Sequence, residues 1–135
     1  MNKNLLVEEV MIKRGGFPIV NKNELLRETL EEMNKFGLGI ACIIDNEDKL
    51  IGLITDGDIR RLILKVQKPI SAIFVDDAIS YSSKSFAKIL EKTSLKNALV
   101  KMEGLKIWDL PVLDEDGKLK GLLHLHPALK FVLGI

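Results

Sequence analysis

The feature that most constrains this chain is an internal repeat. Displaced by 69 positions, the sequence lays Leu26 on Leu95, Leu30 on Leu99 and Met33 on Met102. The same displacement brings Asp45 onto Asp114, Lys49 onto Lys118, Leu50 onto Leu119, Gly52 onto Gly121, Leu53 onto Leu122 and Leu64 onto Leu133. Residues 6–10 fall over 75–79, so a single gapless register is expected from the lead-in to the last helix. Two copies at a fixed offset make a pseudo-dimer, since a solenoid needs more. A copy of about 65 residues is marginal alone, so the two are expected to pack face to face and enclose related clefts. The division expected from the repeat is 1–66 for copy one with its lead-in and 67–135 for the linker and copy two.

Within copy one, residues 5–11 are short and amphipathic, and Gly15-Gly16 breaks the pattern before a short strand at 17–20. Asn23 is placed to cap a helix whose Leu25, Leu26, Thr29, Leu30 and Met33 form one apolar stripe, closed by Gly37 and Gly39. Residues 39–45 are apolar and β-branched, as in a buried strand; 46–48 make a turn, and 50–55 return as the next strand. Ile59, Leu62 and Ile63 then mark a second helix with its apolar face inward. In copy two, Asp114-Glu115-Asp116-Gly117 is a hairpin signal, and the serine-rich residues 80–85 read as an exposed loop. The fold class expected is mixed α/β (α+β): two motifs, each a three-stranded sheet with two helices, related by a pseudo-twofold.

The chemistry concentrates at residues 52–61, where an apolar strand runs into Thr55-Asp56-Gly57-Asp58 and then Ile59-Arg60-Arg61. Two readings compete. Thr55-x-x-Asp58 before an apolar run is a capping box, which requires no ligand. A hydroxyl, a carboxylate and arginines at a helix start also suit a sugar diol and its phosphate. Copy two supplies an internal control: Thr55, Asp56, Gly57 and Asp58 fall on His124, Leu125, His126 and Pro127. The helix there survives without the threonine–aspartate pair, so capping alone does not demand it. His126 is expected to cap a helix beginning at Pro127, and His124 is a candidate phosphate donor. Trp108, entering a strand, is expected in the core, and Leu129, Phe131, Val132 and Leu133 in the core or a dimer interface.

Composition narrows the classes. The 20 basic and 19 acidic side chains are interspersed, which argues against a nucleic-acid stripe or a membrane-binding surface. Apolar runs fall short of the roughly 18 residues that span a bilayer. Cys42 is the single cysteine, inside an apolar run, and reads as a buried small hydrophobe. The first residues turn acidic too early for a signal peptide, so a cytoplasmic setting is expected. Asp56-Gly57-Asp58 lacks the further ligands of a calcium loop. No nucleophile–base pair stands out, and a non-catalytic chain is expected.

These residues resemble the cystathionine-β-synthase (CBS) domain family, whose members usually come as tandem pairs (Bateman modules). The resemblance lies in Met33 ending a helix, the apolar strand from Ile40 to the acidic turn at Asp45, and Gly52-Leu53-Ile54-Thr55-Asp56-Gly57-Asp58. A narrower resemblance, carried by the Thr-Asp-Gly-Asp-Ile-Arg-Arg run, by Gly37-Leu38-Gly39 and by His124-Leu125-His126, is to the C-terminal CBS pair of bacterial D-arabinose-5-phosphate isomerases. Those enzymes feed synthesis of the lipopolysaccharide sugar Kdo. The CBS pair of sugar nucleotidyltransferases is the alternative subgroup. What the resemblance implies is a nucleotide or sugar nucleotide (AMP or ATP, CMP or CMP-Kdo) held as a regulatory ligand, with no required cofactor or metal. It implies Thr55 near phosphate and Asp58 on the ribose hydroxyls, with Arg60 and Arg61 as phosphate partners. Gly16, Phe17, Pro18 and Ile19 would line a base pocket, with Gly39 and Ile40 as weaker candidates, and His124 could donate to a phosphate or form part of a second site. It further implies a homodimer and a sugar-isomerase domain preceding the pair in a parent protein. A ligand-free dimerisation module is the competing reading. Pro127 departs from the family's aspartate and argues against ribose clamping by copy two.

Overall fold

The structure is a computed structural model that describes residues 5–135. The signal-peptide reading rests partly on residues 1–4, which lie outside the described residues. The chain forms two compact units: Gly15–Phe86, and Ala87–Ile135 together with the described residues up to Arg14. Among the described residues, no helix is long and apolar enough to cross a membrane.

In the first of these units β2 (Ile19–Asn21) runs parallel to β3 (Ile40–Ile44), which pairs antiparallel with β4 (Leu50–Thr55). Helix α2 (Leu26–Phe36) makes the crossover and α3 (Asp56–Lys65) follows β4; α4 (Ile70–Phe74) and a 3-10 turn (Ala78–Tyr81) complete the unit. Every residue of β3 is buried, as a strand covered on both faces requires. The α2 stripe packs as the sequence predicts: Leu26, Thr29 and Met33 are buried, and Thr29 Oγ1 donates to Leu25 O at 3.0 Å, which satisfies the one buried hydroxyl. The helix starts later than expected. Leu25 is its N-cap, while Asn23 donates its own N–H to Asn21 Oδ1 in the preceding turn.

The other unit repeats this plan with β5 (Ile89–Leu90), α5 (Leu95–Leu105), β6 (Asp109–Leu113), β7 (Leu119–His124) and α6 (Leu125–Leu133). The register is conserved across the 69-residue offset. Ile40 faces Thr55 and Asp109 faces His124, and the irregularity between Ile43 and Ile44 recurs between Val112 and Leu113. This sheet has four strands where three were expected, because β1 (Ile12–Lys13) pairs antiparallel with β7.

The lead-ins therefore exchange. Val7 and Val10 of α1 (Val7–Val10) pack into the core of copy two, while Ile73 and Ala78 from the linker pack into that of copy one. The docking is equivalent, but its offset is 71. Leu26 N donates to Asp76 O where Leu95 N donates to Leu5 O, and Ala78 N to Glu24 O where Val7 N donates to Thr93 O. The gapless register thus fails at the lead-ins, since the connection from lead-in to helix differs by two residues between copies. Gly52 and Gly121 mark the two docking points. A Cβ on Gly52 would stand 2.6 Å from Ser82 Oγ, and one on Gly121 would stand 2.8 Å from Ile12 O. Residues 82–83 are accordingly no free loop: Ser83 exchanges backbone hydrogen bonds of 2.8 and 3.0 Å with Leu53 and covers the edge of β4.

Candidate functional site

At the end of β4 the chain turns straight into α3, and Thr55 is the N-cap. The capping box forms in full. Asp58 N donates to Thr55 Oγ1 at 3.2 Å; Thr55 N and Oγ1 donate to Asp58 Oδ2 at 2.9 and 3.0 Å. Arg61, one turn on, donates Nη2 to Asp58 Oδ1 at 2.9 Å. The capping box of the sequence is therefore present, and its one carboxylate closes the helix and also holds an outward guanidinium. Arg60 is exposed on the same helix.

The sheet brings other candidates to this end. Ile40 lies opposite Thr55, and Asp56 N donates to Gly39 O at 3.0 Å. The Asp56 carboxylate sits 2.5 Å from where a Cβ on Gly39 would stand, so a larger residue there would push that carboxylate aside. Between α2 and this junction lies a groove of about 320 Å³ lined by Met33, Asn34, Gly37, Leu38, Gly39 and Asp56. Pro18 O accepts from Cys42 N at 3.0 Å, which fixes residues 16–19 at the same end of the sheet, where β2 and β3 begin. Gly16 is exposed there, Ile19 half-buried, and Phe17 and Pro18 are buried, Phe17 to 2% exposure. Cys42 is fully buried.

His124 belongs to the other unit and takes the place of Thr55 as N-cap of α6, without a side-chain cap hydrogen bond. The expectation that His126 caps a helix beginning at Pro127 is corrected: the helix begins at Leu125, and Pro127 is its third residue, where the absent N–H is one the helix start leaves unpaired anyway. His124 Nδ1 instead meets Asp109 Oδ1 at 2.6 Å, with each side chain only 16% exposed. Burial pushes the Asp109 carboxyl above its usual range, and His124 and then His126 pull it back. The His126 ring lies 5.4 Å from that of His124 and edge-on to Trp108 at 6.2 Å.

Trp108 is 62% exposed, not in the core, because its position is that of Gly39 in copy one, at the rim of the groove. The twin groove, about 360 Å³, is apolar: Trp108, Leu125 and Leu129 stand where copy one has Gly39, Asp56 and Arg60. The Asp109–His124 pair escaped the sequence reading, although the Ile40–Thr55 register transposed by 69 places those two residues side by side. Phe131 and Leu133 are exposed, as is Ile63, whereas Ile59 and Leu62 pack on the core as expected. Among the described residues, no group of three or more histidine, cysteine, aspartate or glutamate side chains is placed to hold a metal ion.

Comparison with known proteins identifies the family and the fold. The arabinose 5-phosphate isomerase KdsD of Pseudomonas aeruginosa is 35% identical over 127 residues, which are 93% of this chain and 37% of that protein. KdsD of Francisella tularensis is 30% identical over 96% of this chain and 38% of its own length. The chain thus spans little more than a third of the curated relatives it matches. Among solved structures, CBSX2 in complex with AMP superposes with a TM-score of 0.83 at 25% identity, covering 96% of this chain and 97% of that one. A CBS domain-containing protein of unknown function from Bacillus anthracis superposes with a TM-score of 0.84 at 20% identity, covering 98% and 95%. The CBS domain pattern itself matches residues 7–65 and again 75–130, so this chain belongs to the CBS-domain family, as a tandem pair.

Proposed function

We propose that this chain is a regulatory module that binds a nucleotide or sugar nucleotide through Thr55, Asp58 and the arginines of α3, and signals occupancy to a sugar-phosphate isomerase. The observation that carries the reading is the asymmetry of the repeat. Copy one keeps a hydroxyl, a carboxylate and a guanidinium in contact at a helix start, while copy two, on the same backbone register, has replaced all three. Asp58 on a ribose diol and Arg60 or Arg61 on phosphate are charge-assisted contacts that suit an adenosine or cytidine nucleotide, AMP, ATP, CMP or CMP-Kdo among them. CBSX2, of the same fold, was solved with AMP. The isomerase relatives, of which this chain covers about a third, support a parent enzyme of Kdo synthesis in the cytoplasm, with catalysis residing outside the pair. Regulation requires that the ligand bind one conformation of the module more tightly than another.

A second reading, a ligand-free module that dimerises its parent, is favoured by the apolar groove of copy two, lined by Trp108, Leu129 and Val132, and by the exposure of Phe131 and Leu133 on α6. One experiment separates them. Thermal shift with AMP, ATP, CMP and CMP-Kdo is measured on the wild type and on Asp58→Asn. A rise in melting temperature with at least one ligand, reduced in the variant, is the expected result. No shift with any of them refutes the nucleotide reading in favour of the second, and a shift unchanged in Asp58→Asn refutes the site.

A further inference from the structure

An ionised carboxylate offers about four acceptor positions. In Asp58 the protein already occupies three of them, and the two oxygens differ in kind. Oδ2 takes both Thr55 donors and closes the helix. Oδ1 takes Arg61 alone, from outside: the Arg61 side chain is 53% exposed and that of Asp58 17%. Gly57 leaves this contact unobstructed: a Cβ at that position would stand 3.1 Å from Arg61 Nη2 and 3.3 Å from Nη1, so a larger residue would make the guanidinium shift by a few tenths of an ångström. All three positions differ in copy two. Copy two has His126, Pro127 and Lys130 at the positions of Gly57, Asp58 and Arg61, and its helix forms without any side-chain cap. Helix initiation on this backbone therefore requires neither the glycine nor the arginine.

We propose that Arg61 is a latch that selects phosphorylated ligands: it competes with the ribose diol for Asp58 Oδ1 and releases that oxygen by transferring to the ligand phosphate. The inference rests on the reading of Thr55 and Asp58 as the nucleotide site. In the exchange the carboxylate trades one guanidinium for two hydroxyl donors, and the guanidinium trades a carboxylate for a phosphate, so neither group is left without hydrogen-bond partners. A nucleoside can take the carboxylate only by leaving Arg61 without an anion, and it is disfavoured for that reason. The device acts on specificity through competition, which a residue that merely contacts phosphate does not do.

The test is calorimetric titration of the full chain with AMP and adenosine, and with CMP and cytidine, on the wild type, Arg61→Ala and Arg61→Lys. Arg61→Ala is expected to raise nucleoside affinity by about two- to five-fold, the worth of an exposed ion pair. It lowers affinity for the matching nucleotide by about ten-fold, through loss of a charge-assisted contact. Arg61→Lys keeps the charge without the planar fork and falls between the two. Movement of both affinities in the same direction, or an unchanged nucleoside affinity, overturns the latch while leaving the site intact. Failure of all four compounds to bind the wild type overturns the nucleotide reading, and the latch with it.

Discussion

Replacement of Asp58 by alanine should cost stability before any ligand is considered, by an amount the hydrogen bonds determine. The change removes the acceptor of Thr55 N and Oγ1, at 2.9 and 3.0 Å, and the partner of Arg61 at 2.9 Å. Loss of a capping side chain costs about 0.5–2 kcal/mol, and an exposed arginine–carboxylate pair contributes about 0.2–1 kcal/mol. The Thr55 amide is half-buried and finds water only in part, which places the cap contribution in the upper half of its range. The sum is about 2 kcal/mol, or about 8 °C in melting temperature for a chain of this length. Thr55→Val removes the hydroxyl alone and should cost about 1 kcal/mol. The double variant should cost less than the sum of the singles, because both remove the same contact. Pro127→Ala, at the twin position in α6, is the control and should stay within about 0.5 kcal/mol, since no capping bond exists there to lose. The assay is urea unfolding followed by circular dichroism, read as a shift in midpoint at constant slope. An Asp58→Ala midpoint within about 0.5 kcal/mol of wild type refutes the account. The carboxylate would then be dispensable to the helix.

Two further outcomes follow from the twin geometry. Gly121→Ala should destabilise by about 2–3 kcal/mol and Gly52→Ala by about 1–2 kcal/mol. The new methyl meets the fixed carbonyl of Ile12 in the first case, and in the second the movable side-chain ends of Ser82 and Ile79; equal costs in urea titrations would refute this ranking. The hairpin carboxylates should contribute to the acid limb of stability. Backbone donation from Lys49 and then Glu47 holds Asp45 below its usual value of 3.8, and donation from Lys118 and then Asp116 does the same for Asp114. A carboxyl depressed in the folded state stabilises above its unfolded value and loses that contribution as pH falls through the folded one. Asp45→Asn with Asp114→Asn should therefore flatten the decline in stability below about pH 4, and an unchanged slope would count against it.

Much of this protein was legible from local pattern. The α2 stripe, the buried β3, the hairpin at Asp114–Gly117 and the Thr55–Asp58 pair depend on residues within a few positions of one another, and each appears as read. Local pattern does not show what a segment meets in space. An apolar residue entering a strand usually joins the core, but Trp108 stands in the place of Gly39 at a groove rim and is exposed. Residues 82–83 looked like loop because their partner, the edge of β4, is about thirty positions away in sequence.

The sequence by itself determined the repeat, the order of strands and helices within each copy, and the candidate chemistry at Thr55, Asp58 and the following arginines. Periodicity, turn residues and caps act over a few residues and leave their mark on the chain. Tertiary structure alone decided that the lead-ins exchange between copies with a two-residue slip, that Asp109 meets His124, and that Arg61 closes on Asp58 Oδ1 over Gly57. Those outcomes depend on which buried surface and which unpaired edge a segment reaches in space. Several docking partners satisfy the same hydrophobic pattern, and only the assembled core selects among them.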